Sequence, residues 1–128
     1  MTAITPGLPG QEQLTPLQSR YVDPEHLSWE PTPYPGVEMK VLLRDEETGL
    51  LTALFRWAPG AELPLHEHVE IEQTYMLSGR LVDNEGEAGP GQYVWRPKGN
   101  RHVARAPEGA LMISFFLRPN VFLGEEEG

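Results

Sequence analysis

Glycine and proline interrupt this chain so often that no long helix can be built from it. There are thirteen of each, below the level of a low-complexity sequence, and they fall between short apolar runs. Proline removes a backbone donor and glycine favours turns, so runs of this length separated by such breaks fold as strands. With 128 residues, 39% of them hydrophobic, the chain suits one compact domain with a real core. Ten basic residues against nineteen acidic ones give a net charge of −9, the wrong sign for neutralising phosphates. Nucleic acid and anionic membranes are therefore not expected partners. No run approaches the roughly 18 apolar residues of a membrane span, and the first ten residues lack the pattern of a signal peptide, so the expected location is the cytoplasm. Without cysteine there is no disulfide framework, thiolate site or cysteine nucleophile, and any metal must be held by His, Asp or Glu.

Residues 1–20 carry Pro6, Gly7, Pro9, Gly10 and Pro16 and show neither strand nor helix period, so they read as an N-terminal arm that a partner subunit could order. Asp23-Pro24-Glu25-His26-Leu27 predicts one helical turn with proline at its first position, and Pro31, Pro33 and Pro35 stop it from extending. Trp29 and Tyr34 are expected to pack this segment onto the domain, and His26 to lie on the surface. Residues 37–44 and 50–57 form a hairpin around Asp45-Glu46-Glu47-Thr48-Gly49. Residues 63–68, 71–77, 80–82, 93–96, 102–105 and 111–117 complete about eight short strands, with a turn at Ser78-Gly79. The fold class is all-β, an antiparallel sandwich or barrel, in a single domain over 21–123 with an acidic tail at 124–128. That tail reads as a solvated end.

His66 and His68 are one residue apart, and the two-residue period of a strand puts both imidazoles on one face. Glu72 keeps that parity and would face the same point if the chain pairs straight back. Glu70 shares the parity but is expected in the connecting turn, whereas Glu67 points the other way. His102 is the candidate for a third imidazole. Such a set suits Fe(II), Mn(II), Co(II), Ni(II) or Zn(II). Among the arginines, Arg56, Arg80, Arg101 and Arg105 are expected in surface ion pairs. Arg96 is the candidate catalytic cation, because Trp95-Arg96-Pro97 leads into the His102 loop and a guanidinium there can hold a substrate carboxylate or enolate. Thr74 and Met76 share the inward parity of Glu72, while Ile71, Tyr75 and Leu77 face outward. Such an apolar outer row needs a cover: the arm, the second sheet or another subunit.

The order Gly60-x5-His66-x-His68-x3-Glu72-x6-Gly79, then Gly91-x5-Pro97-x-Gly99-x2-His102, resembles the two motifs of the cupin superfamily over about residues 37–118. One departure is Ala106, where the second motif ends in asparagine. The resemblance implies a small antiparallel double-stranded β-helix, or jelly-roll barrel, holding one divalent metal on His66, His68, Glu72 and His102. It also raises the expectation of a homodimer. The residues around Trp29, Pro35-Gly36-Val37 and Tyr93-x-Trp95-Arg96-Pro97 are similar to the subgroup with ChrR-type anti-sigma cupin domains and the acetylacetone-cleaving dioxygenase. The latter uses three histidines, so Glu72 is either a fourth ligand or a group that holds a ligand in place.

Three functions follow. The leading one is a non-haem Fe(II) dioxygenase that uses O2 to cleave a C–C bond in a small β-diketone or hydroxyketone, with Glu72 fixing the coordination sphere or accepting a proton. A ChrR-like sensing or binding cupin without turnover is the second, disfavoured by the short, cysteine-free arm. The third is a Mn-, Ni- or Zn-dependent isomerase, decarboxylase or lyase acting on a small acid or sugar.

Overall fold

The computed structural model describes residues 3–118 and 121–122, and the acidic tail at 124–128 lies outside them. Twelve strands form two antiparallel sheets. The first sheet runs β1 (Ala3–Ile4), β3 (Val37–Asp45), β4 (Leu50–Trp57), β11 (Ala110–Phe116), β6 (Glu72–Gly79) and β9 (Tyr93–Arg96), with β2 (Glu30–Pro31) paired to β3. The second runs β12 (Val121–Phe122), β5 (Ala61–Glu67), β10 (Arg101–Ala106), β7 (Leu81–Asp83) and β8 (Glu87–Ala88). Four of the twelve are two-residue strands, and the other eight are those the alternation predicts. The architecture is the all-β jelly roll.

Val37, Trp57, Met76, Leu81, Ala104, Ala106 and Met112 are buried in a shared core. Alternation places them there: along β6, Glu72, Thr74 and Met76 are buried while Gln73, Tyr75 and Leu77 are exposed. Trp29 holds its segment onto the outer face of the first sheet, with Lys40 Nζ 4.9 Å and Arg56 Cζ 4.2 Å from its ring. The predicted helical turn is the single 3-10 turn Pro24–His26, where Asp23 accepts from the amide of Glu25.

Three expectations are corrected. The arm is not patternless, because Ala3 and Ile4 pair with Asp45 and Arg44 of the same chain and Thr5 Oγ1 donates to the Leu42 carbonyl at 2.7 Å. A two-residue strand is too short to show a period. Ser78 and Gly79 are no turn, since they pair with Leu111 and Ala110 at the end of β6, beyond a register shift at Leu77. Gly79 takes φ +72°, and a Cβ there would stand 2.1 Å from the Gly109 carbonyl oxygen, so close backbone approach requires the glycine. Finally, β5 and β6 do not pair. The chain crosses between sheets over residues 68–71, so Glu72 reaches the histidines from the opposite sheet.

The outward face of the first sheet remains apolar. Tyr75 lies opposite Tyr93 and Ile113, and Gln73 opposite Trp95 and Phe115, so these side chains share one surface. Tyr75, Leu77, Tyr93, Trp95 and Phe115 are all exposed there, so neither the arm nor the second sheet is their cover.

Candidate metal centre

A β-bulge brings the histidines to the interior. In the β5–β10 ladder Ala104 faces Leu63 and His102 faces His66, so two residues on β5 stand against one on β10. Pro64 and Leu65 occupy the irregular stretch, where a proline that cannot donate costs no ladder bond. The extra residue shifts parity, so Ala61 and Leu63 point inward before it and His66 after it. His68 lies just past β5 and is tied to the loop that leads into β10. Its amide donates to the Asn100 carbonyl at 2.9 Å, and its carbonyl accepts from the Gly99 amide at 2.7 Å. The glycine-bearing loop ahead of His102 therefore clamps His68 as well.

His66, His68 and His102 are all buried, and their candidate ligand atoms lie within 4.8 Å of one another. Ring centroids are 4.3 to 5.0 Å apart. His66 Nδ1 is 2.8 Å from the Pro64 carbonyl oxygen. His68 Nδ1 lies 3.0 Å from Glu72 Oε2, and His102 Nδ1 lies 3.4 Å from Asp83 Oδ2. Each of these carboxylate oxygens stands at ion-pair distance from a ring Nδ1. With a proton on each Nδ1, the lone pairs sit on the Nε2 atoms, and His68 Nε2 is 2.9 Å from His102 Nε2. Two lone pairs at that distance repel unless a proton or cation lies between them. Nitrogens at right angles about 2.1 Å from one ion stand about 3 Å apart, so the donor set fits a divalent metal.

The same surroundings keep His66 and His102 neutral. Burial, then the nearby charge of His68, lowers the pKa of His66 against the opposing Pro64 contact. Burial and then the Arg96 guanidinium push that of His102 down to about 3. Glu72 is desolvated, which alone would raise its pKa, but the contacts with His68 and Thr74 outweigh this and hold it below the ordinary carboxylate range. Burial works against ionisation of Asp83 too, yet amide donors at Glu85 and Gly86 and the Arg96 charge bring its pKa down. Neutral His66 and His102 beside ionised carboxylates are protonation states that suit metal binding.

The structure brings together His66, His68, His102, Glu72 and Arg96. Glu72 is outside the candidate trio, against the Nδ1 edge of His68, with its Oε1 accepting from Thr74 at 3.0 Å. Arg96 is buried, and its Nη1 is 2.7 Å from Asp83 Oδ2. Glu70 lies in the turn with Lys98 nearby, Glu67 pairs with Arg101, and His26 is exposed. Arg56 and Arg80 make the expected surface pairs with Glu38 and with Glu87 and Glu108. Sequence reasoning missed Asp83. Its position before Asn-Glu-Gly marks it as a turn residue, and it does accept from Glu85 and Gly86; the second use of its carboxylate had no signal. Also missed was the cavity of about 50 Å³ between the sheets, where His66, His102, Glu72 and Arg96 meet a largely apolar wall including Phe55, Leu63 and Met112.

The fold resembles a candidate acetylacetone dioxygenase from Methylibium petroleiphilum PM1 at 22% identity and a TM-score of 0.79, over 90% of this chain and 88% of that one. An acetylacetone dioxygenase from Acinetobacter johnsonii aligns at 18% identity and a TM-score of 0.73, over 90% and 83%. The anti-sigma ChrR, in its complex with SigE from Rhodobacter sphaeroides, aligns at 21% identity and a TM-score of 0.61, over 72% of this chain and 49% of the other, about half its length. No curated relative matches the sequence. The family described as the ChrR cupin-like domain matches residues 17–120, and with that match over most of its length the chain belongs to this cupin family.

Proposed function

We propose that the protein is a dioxygenase that holds one Fe(II) on His66, His68 and His102 and uses O2 to cleave a C–C bond in a small β-diketone or hydroxyketone. The observation that carries this reading is the convergence of three buried imidazoles, two of them on the wall of a small, largely apolar cavity. Bound there, Fe(II) supplies Lewis acidity, redox chemistry and coordination positions left open by three protein ligands. Each imidazole offers Nε2 because its Nδ1 faces an oxygen of Pro64, Glu72 or Asp83. Glu72 acts by holding His68, since a carboxylate with a lowered pKa is a weak base. Arg96 lines the cavity and is the cation within it for a substrate oxygen. Phe55, Leu63 and Met112 keep water from the reacting atoms. A volume of about 50 Å³ suits a substrate of a few heavy atoms more than a sugar.

The test is elemental analysis of protein purified without added metal, beside a His66→Ala, His102→Ala double variant, followed by oxygen uptake with a panel of diketones. About one equivalent of iron in the wild type only, with oxygen consumed, supports the reading; undiminished oxygen uptake by the double variant refutes it. The family match and the ChrR fold likeness favour one further reading, a metal-binding sensory module, which predicts a zinc-loaded protein inert toward O2. We also propose that a second copy of the chain covers the exposed row of Tyr75, Leu77, Tyr93 and Trp95, as a homodimer.

A further inference from the structure

Asp83 ends β7 at the junction of two tasks. Its Oδ1 accepts from the amides of Glu85 at 2.7 Å and Gly86 at 2.9 Å, which closes the turn. Its Oδ2 stands 2.7 Å from Arg96 Nη1 and 3.4 Å from His102 Nδ1. The Asp83 and Arg96 side chains are 6% and 7% exposed, so their charges act in a poorly screened interior. We infer that Asp83 is a positioning residue for His102, and that Arg96, by neutralising Asp83, restrains how tightly the site holds its metal. The inference rests on the metal-binding reading above.

A carboxylate behind an imidazole fixes the proton on Nδ1 and makes Nε2 a better donor to a dication. A guanidinium on that same carboxylate oxygen withdraws the benefit and adds a cation near the dication. Arg96 therefore has opposite effects on the two states of the protein. It stabilises the metal-free fold by pairing a buried charge, and it weakens the metal complex. A residue that merely held the fold together would weaken both when removed.

The experiment measures the Kd of Co(II) and Zn(II) by competition with a chromophoric chelator, alongside urea unfolding of the metal-free protein. Asp83→Asn keeps the shape but loses the charge, and its affinity should fall on the order of 10- to 100-fold. Arg96→Gln should bind on the order of tenfold more tightly while its metal-free form unfolds at lower urea. Arg96→Lys, which keeps the charge, should bind like the wild type. Should Arg96→Gln fail to fold, the Asp83→Asn, Arg96→Gln double variant carries no charge at this pair, and it should bind more tightly than Asp83→Asn alone. Weaker binding by Arg96→Gln, or by the double variant relative to Asp83→Asn, overturns the inference. A wild type that binds neither ion overturns the metal reading instead.

Discussion

Replacing Glu72 by Gln separates a carboxylate that holds a ligand from one that is a ligand. Glu72 Oε2 lies 3.0 Å from His68 Nδ1, and its Oε1 accepts from Thr74, whose hydroxyl is in turn 2.8 Å from that of Ser114. Glutamine has the same length, and its carbonyl can still face the His68 N–H while its amide turns to the Thr74 hydroxyl. Shape and packing persist, and the negative charge behind the imidazole is lost. Losing such a group costs about 10- to 100-fold in metal affinity, or about 1.4 to 2.7 kcal/mol. The metal-free protein should change by less than about 1 kcal/mol, because the lost contact is offset by no longer burying an ion. Saturating Co(II) should still give one equivalent per chain. Chelator competition reads the affinity, and elemental analysis after gel filtration reads the stoichiometry. If Glu72→Gln loses the metal as completely as His66→Ala, Glu72 is a fourth ligand. If its affinity equals that of the wild type, the contact with His68 has no role, and both outcomes refute the reasoning.

Three further outcomes are expected. The metal-free protein should lose stability as pH falls below about 6.5, because the unfolded chain then protonates a histidine that the folded one keeps neutral until about 3. Each such group steepens the decline by up to about 1.4 kcal/mol per pH unit, so a urea midpoint that is flat or rising from pH 7.5 to 5 would contradict the burial of His66 and His102. Gly79→Ala should cost about 2 to 4 kcal/mol, since strain at positive φ adds to a clash with the Gly109 carbonyl. Gly60→Ala, also at positive φ but with nothing within 4 Å of the new Cβ, should cost only about 1 kcal/mol, and equal thermal shifts would refute the packing argument. Light scattering at micromolar concentration should report a dimer that Tyr75→Glu combined with Trp95→Glu dissociates; a monomeric wild type removes the homodimer.

The sequence carried the strands well and their pairing poorly. Alternation is local, so the inward set Glu72, Thr74, Met76 could be read directly, as could the hairpin around Gly49. Pairing is not local: nothing between His68 and Glu72 says whether the chain turns back beside β5 or crosses to the other sheet. His66 and His68 were legible because a strand period and a motif spacing coincide on them, and His102 through the second motif's spacing. Asp83 was not, because a turn aspartate looks the same whether its second oxygen faces water or a histidine. The bulge at Pro64 had a visible proline, but only the register of β10 against β5 shows that it re-aims His66.

That crossing determines how the site depends on the fold. His66, His68 and His102 all belong to the second sheet or its adjoining loops, whereas Glu72 and Arg96 are contributed by β6 and β9 of the first. The second sheet and its loops carry the three imidazoles, but the carboxylate that faces His68 Nδ1 comes from the first sheet. Metal bound to the closed form therefore favours closure by mass action, about 2.7 kcal/mol when free metal is a hundredfold above Kd. The contact of Glu72 with His68 Nδ1 is the link between the sheets, whereas Asp83 shares the second sheet with His102, which makes Glu72 the residue through which affinity for metal and stability of the barrel would be coupled.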